Sequence, residues 1–358
     1  MNVSVCRIIA GGTAAIVLGA AGLLHAEAPL LSPWDAHPPA PHPAPYTCPS
    51  PPALPHDIVA YDFYSDSKHS VIDPKRYAAY KAAQDQFSQV VKAAEEAADN
   101  YQRTGNTFAA TCVKQILATQ ATANAMTGSM SSNQANYVQN WTLGALAISY
   151  LKVRKAGPYT LPATPLQDPV QLWMKTVGKQ VEDWFDDRRV KKTVDSQNNH
   201  HYWAGFAVMA AGIAADDHGL YDWGVGTYKD GVDRIAPDGT LPLEMARGQR
   251  ALHYHLFALA PLVTMAELGE VNGDGLYAYG HDALHQLVSR ATSGLVDNHY
   301  FTDKAGVAQD TPEDGKIKSA DIIWVTPYLR RFPDPAIQSL LKQGGNAPYG
   351  YLGGMPPS

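Results

Sequence analysis

Stretches with the three-to-four-residue period of helices dominate this chain, and no alternating run is long enough to build a sheet beyond a short ribbon. The pattern predicts helices at about 74–103, 106–128, 136–155, 168–187, 201–215, 219–234, 248–268, 279–292 and 318–330. Polar or Gly/Pro breakers separate them: Gly128-Ser129, Gly157-Pro158, Pro237-Asp238-Gly239 and Asn272–Gly275. Many helices of similar length without a strict repeat leave two all-α solutions, a helical bundle or an α/α toroid. A chain of 358 residues, 45% of them hydrophobic, can fill one such unit. Asn272–Gly275 lacks the acids of a calcium loop and reads as a plain turn.

The ends differ from the body. Arg7 precedes an apolar run from Ile8 to Leu24, and His25-Ala26-Glu27-Ala28 follows. This is the layout of an export leader, residues 1–26, with cleavage expected after Ala26 and a periplasmic or secreted product. No other segment is read as long and apolar enough to cross a bilayer, so no membrane association is expected once the leader is gone. Residues 27–56 are crowded with proline and are expected to lie as an extended strap. The helical body is set at 57–344 and a flexible tail at 345–358. Of three cysteines, Cys6 leaves with the leader. Cys48 and Cys112 then form an even pair in an oxidising compartment, and a disulfide between them is expected.

Composition narrows the partner. Only 17% of residues are charged, against about a quarter in ordinary domains, while Tyr (19), Pro (26) and His (13) are plentiful. The net charge of −6 supplies no basic field for nucleic acid. Such a surface suits sugar rings, and any anionic substrate must be met by locally concentrated cations.

Four polar clusters stand out. Asn198-Asn199-His200-His201-Tyr202-Trp203 precedes an apolar helix; a helix cap explains one asparagine, not the whole run. Arg247, Arg250 and Tyr254 are spaced to share one side of a helix start, where they either pair with acids such as Glu244 or form a carboxylate pocket beside a proton carrier. Gln134, Tyr137 and Trp141 repeat that spacing, as core or as a sugar-gripping stripe. Ser67–Arg76 is a polar loop with Lys68 among its cations, either solvated or a lid over a substrate.

Taken together, N-N-H-x-Y-W and the later R-x-Q-R-A-L-x-Y-H resemble the periplasmic alginate lyases of polysaccharide lyase family 5, with Ser67-Lys68, Asp73 and Arg76 similar to that family's lid. The resemblance runs from about Cys48 to Tyr328. It implies an incomplete α/α toroid with a deep cleft, and elimination without a required metal or organic cofactor. By the same resemblance, Asn199 and Arg247 neutralise the substrate carboxylate, and His200 and Tyr254 handle protons. Lys68 reaches in from the lid, and Gln134, Tyr137, Trp141, Trp203 and Arg250 line subsites. The implied partner is an acidic polysaccharide, alginate or polyglucuronate, met by a monomer. The chain departs from the family pattern at His201, where a small residue is usual, at His69, where a lid tyrosine is usual, and at Thr326, where an acid is expected.

The chemistry explains the residue types. Removing the C5 proton of a uronate builds charge on its carboxylate, which amide and guanidinium donors stabilise. In mannuronate the C5 hydrogen and O4 lie on the same side, so Tyr254 alone can act as base and then acid; a variant makes His200 the base. A rival reading, an inverting hydrolase using Asp186, Asp187, Asp216 or Asp217, requires two carboxyls facing across a cleft. A metal held by His200, His201, His253 and His255 is a weaker rival.

Overall fold

The computed structural model describes residues 1, 28–157, 168–311 and 316–356. The expected leader, Met1 apart, and its cleavage site lie outside them. Pro74–Thr104 (α1) begins where Asp73 accepts from the backbone N–H groups of Lys75 and Arg76, both at 2.9 Å. Then come Thr107–Thr122 (α2), Asn133–Val153 (α3), Pro169–Val190 (α4), Asn199–Ala215 (α5), His218–Val232 (α6) and Pro242–Met245 (α7). Ala251–Glu270 (α8), Ala283–Val296 (α9), His299–Ala305 (α10), Val325–Arg331 (α11) and Pro335–Gly344 (α12) complete the order. Among the described residues β structure is limited to isolated bridges. The architecture is an incomplete α/α toroid.

Among the described residues, three helices lie deepest in the interior. α3, α5 and α8 are buried on nearly every side, because their sequences are apolar all round rather than striped. α5 sits at the centre, packed on α3, α4, α6 and α8. At Gly205 a Cβ would stand 2.4 Å from Thr227 Cγ2, so glycine is what lets α6 come this close. α8 with its preceding turn, Gly248–Glu270, has the length and apolarity of a membrane span, contrary to the sequence reading. It is buried in the toroid, which demands the same composition.

α2 stops at Thr122, short of the expected 128, because Asn124 and Met126 turn left-handed (φ 46° and 61°). α7 and α10 were too short to leave a clear period, and α12 was not among the expected helices. The expected helix at 318–330 is helical only from Val325, after a 3-10 turn at Ser319–Asp321.

Among its described residues the proline-rich segment holds no helix; it makes one turn at Ser32–Asp35 and is otherwise irregular, anchored on the helical body. Leu30 N–H donates to Asp216 at 2.8 Å, Arg154 pairs with Asp35, and Leu54 N–H donates to Gln120 Oε1 at 2.8 Å. Cys48 is bonded to Cys112 in α2, with Cα atoms 5.4 Å apart. The bridge closes a loop spanning 64 positions. Replacing both cysteines by serine is expected to destabilise the fold by about 2–4 kcal/mol, measured by urea unfolding; an unchanged midpoint would show that the strap is held by its polar anchors alone.

The expected flexible tail requires correction. Gly350–Leu352 forms a 3-10 turn, Tyr351 stacks on Trp141 at 4.9 Å, and Leu352 is buried. The cause is Lys152, wholly buried in α3. Its ammonium needs acceptors and finds Asp99 at 2.5 Å and the Gly353 carbonyl at 2.7 Å. Residues 345–356 thus complete the toroid wall.

Candidate active site

The toroid aims the N-terminal ends of its three inner helices at one place. Gln134, Tyr137 and Trp141 lie on the first turns of α3, Asn199 and His200 open α5, and Tyr254 opens α8. Arg247 and Arg250 flank the 3-10 turn leading into α8. Converging helix starts give the cleft positive backbone ends, which favour an anion despite the negative net charge. Asn198 caps α5, its side-chain oxygen accepting from His200 N–H at 3.0 Å. Asn199 is thereby released from capping.

Tyr254 is the centre of the cluster. The Arg247 guanidinium lies over its ring, 3.4 Å from the centroid, and that of Arg250 stands 5.4 Å away. The Tyr254 hydroxyl is hydrogen-bonded to that of Tyr64. Burial holds the Tyr64 phenol well above its ordinary value, so Tyr64 keeps its proton and can donate to the Tyr254 oxygen. Two guanidiniums and a second phenol thus surround the Tyr254 hydroxyphenyl group.

His200 stacks on Tyr137 with centroids 3.8 Å apart. Burial first, then the charge of Arg247, pulls its pKa down to about 3. The imidazole is neutral at physiological pH, and its Nδ1 is buried without a partner. Burial and the neighbouring guanidinium thus keep it an uncharged ring, with no proton to give from a charged form.

The segment expected as a lid covers this cluster. Tyr64 and Ile72 bridge antiparallel, and Asp66 accepts from the backbone N–H groups of Ser70 and Val71 at 2.8 and 2.7 Å. Arg247 Nε donates to the Lys68 carbonyl at 2.8 Å, and Arg247 also bonds the His69 carbonyl. Lys68 thus meets the site through its backbone, while its side chain is exposed. His69 does not replace a lid tyrosine. The hairpin turns so that Tyr64, not residue 69, reaches Tyr254, and His69 faces Asp62 at 3.5 Å. Tyr64 carried no motif that singled it out.

Other expected residues are redistributed. Trp203 is wholly buried against Phe257 and Tyr351 (centroids 4.9 and 5.9 Å), a part of the core behind the cleft rather than a subsite wall. Tyr137 commits its hydroxyl to Asp195 at 2.6 Å, itself paired with Arg188, so it supports His200 instead of gripping a sugar. His201 points away into the core between Phe185 and Trp223. His255 accepts from Leu241 N–H at 2.9 Å through Nε2, with Nδ1 against the Ala251 carbonyl, so both ring nitrogens are occupied. Among the described residues, no group of three His, Cys, Asp or Glu is placed to hold a metal.

Trp141 is nearly buried, yet its Nε1 lacks a hydrogen-bond partner, as does Arg250 Nε. Unpaired donors around a cleft are what an acceptor-rich polymer satisfies. The candidate hydrolase acids serve the scaffold. Asp186 accepts from Trp223 Nε1, Asp187 pairs with Lys191, Asp216 holds Leu30, and Asp217 caps α6 and pairs with Lys175.

Fold and site together define a polysaccharide lyase of the helical-toroid class. The alginate lyase family model matches residues 57–301. A polysaccharide lyase of Stenotrophomonas maltophilia is 36% identical over 81% of this chain and 83% of its own. An alginate lyase of Pseudomonas paraeruginosa is 30% identical over 79% and 76%. The crystal structure of alginate lyase A1-III from Sphingomonas species A1 superposes with a TM-score of 0.69 at 23% identity, covering 87% of this chain and 86% of that one. A tyrosine-to-phenylalanine variant of A1-III, complexed with a tetrasaccharide, gives 0.73 at 23% identity over 91% and 88%. The chain belongs to the alginate lyase family.

Proposed function

We propose that this protein is an exported lyase that cleaves mannuronate-rich alginate by β-elimination at the 1,4-linkage, leaving 4,5-unsaturated uronate ends. One observation carries the reading: the Tyr254 hydroxyl is hydrogen-bonded to that of Tyr64 while the Arg247 and Arg250 guanidiniums stand 3.4 and 5.4 Å from its ring centroid. Arg247 and Asn199 meet the carboxylate of the sugar being cleaved. Tyr254, as phenolate, takes the C5 proton. The C4–O4 electrons leave with the departing sugar, and the same phenol returns a proton to O4. Neutral His200, stacked on Tyr137, brings no positive charge of its own to compete for the substrate carboxylate. Arg247 must exchange the lid carbonyls for the substrate carboxylate, so lid movement accompanies binding.

Polyglucuronate is the second reading. Glucuronate differs from mannuronate at C2, leaving the C4–C5 geometry unchanged. Guluronate inverts C5 and turns the proton away from Tyr254. Growth of far-ultraviolet absorbance is expected on polymannuronate, with polyguluronate slow. Equal rates on all three polymers, or chain cleavage without an absorbing product, would overturn the reading.

A further inference from the structure

Asn199 joins the carboxylate pocket to the buried interior, and its amide is turned the wrong way for an anion. Nδ2 lies 2.9 Å from Glu244 Oε2, and Asn199 N–H donates to Glu244 Oε1 at 2.7 Å. Oδ1 is buried with no partner. The two ends of an amide have the same shape, so hydrogen-bond logic must assign them. An ionised Glu244 holds the N–H₂ end and leaves an orphaned acceptor beside a pocket for an anion, at a desolvation cost.

Reversing the amide removes the conflict if Glu244 carries a proton on Oε2. That proton is donated to Asn199 Oδ1, and Oε1 still accepts from Asn199 N–H. Both Nδ2 hydrogens are then available to the substrate. We propose that Glu244 is a neutral carboxylic acid that positions Asn199, holding the amide with its N–H₂ end toward the uronate carboxylate. This rests on the lyase reading of Asn199.

The surroundings agree. Glu244 has no solvent exposure, and burial raises its pKa against the opposing charge of Arg247 and the two Asn199 contacts. Arg247, three residues on, spends donors on the Lys68 and His69 carbonyls. From α5, Tyr202 faces Glu244 as an un-ionised phenol. From α8, neutral His255 bonds Leu241, and on α10 Tyr300 and Lys304 both donate to Asp238. A neutral Glu244 also leaves the charge of Arg247 undiminished for the substrate.

Glu244 is a positioning residue, and glutamine mimics its acid form: Nε2 donates to Oδ1 and Oε1 accepts from N–H. Glu244→Ala is expected to lower kcat roughly tenfold to a hundredfold, with a smaller change in KM, while Glu244→Gln recovers most of that loss. Glu244→Asp, too short to reach, should resemble alanine. An infrared difference spectrum of the ligand-free protein at neutral pH, wild type minus Glu244→Gln, should show a carboxylic-acid carbonyl band. Carboxylate bands alone, or a folded Glu244→Gln as impaired as Glu244→Ala, would overturn the proposal. Wild type inert on every uronate polymer would instead sink the lyase reading, and the infrared band would still decide whether Glu244 holds its proton.

Discussion

Tyr254→Phe is expected to lose elimination by about 10⁴-fold while remaining folded. A positioned acid or base contributes typically about 10²–10⁴-fold, and one phenol performing both transfers belongs at the upper end. The substitution keeps the ring beneath Arg247 and beside Phe257, so packing is preserved. What disappears is the hydroxyl that is hydrogen-bonded to that of Tyr64. Tyr64 then becomes a buried donor without its partner, costing about 1–3 kcal/mol of stability at most. Tyr64→Phe is the informative companion, because it removes the donor and leaves the reacting oxygen in place. Its loss should be much smaller than that of Tyr254→Phe. The comparison is kcat from the absorbance of the unsaturated product, with circular dichroism certifying the fold. Near-wild-type turnover in Tyr254→Phe would end the mechanism proposed above.

Arg247→Ala should lower kcat by about 10²–10³-fold, the scale set by removing one donor from a developing oxyanion. Charge grows on the substrate carboxylate as the C5 proton leaves, so the guanidinium matters more in the transition state than in the bound ground state. kcat should therefore fall further than KM rises. The structure adds a second consequence, since Arg247 also binds the lid through the Lys68 and His69 carbonyls. Its removal frees the lid and faster proteolysis is expected between Tyr64 and Arg76. Arg247→Lys keeps the charge but loses the planar fork, and should recover only a small part of the rate. A rise in KM with unchanged kcat would reassign Arg247 to simple binding.

Much of the wall was legible one helix at a time. α1, α4 and α9 announce themselves by a striped period and by breakers at their ends, and these are local properties. The Asn199-His200 and Arg247–Tyr254 strings were visible because polar residues sit at the mouths of otherwise apolar helices. Short elements failed the same test. α7 and α10 contain too few residues to display a period, and their positions depend on what they pack against.

Sequence alone determined the helical composition, the non-helical proline-rich segment, the pairing of Cys48 with Cys112 and the polar strings at the starts of α5 and α8. These follow from backbone preference, period and the types of side chain present. Tertiary structure decided which face each residue shows. It turned Trp203 and His201 into core, gave the hydroxyl of Tyr137 to Asp195, and brought Tyr64 onto Tyr254 across a separation of 190 positions. It drew the last residues onto Trp141, because a buried Lys152 required the Gly353 carbonyl. Such contacts depend on the desolvation of groups far apart in the chain, and no local pattern encodes which distant partner will satisfy them.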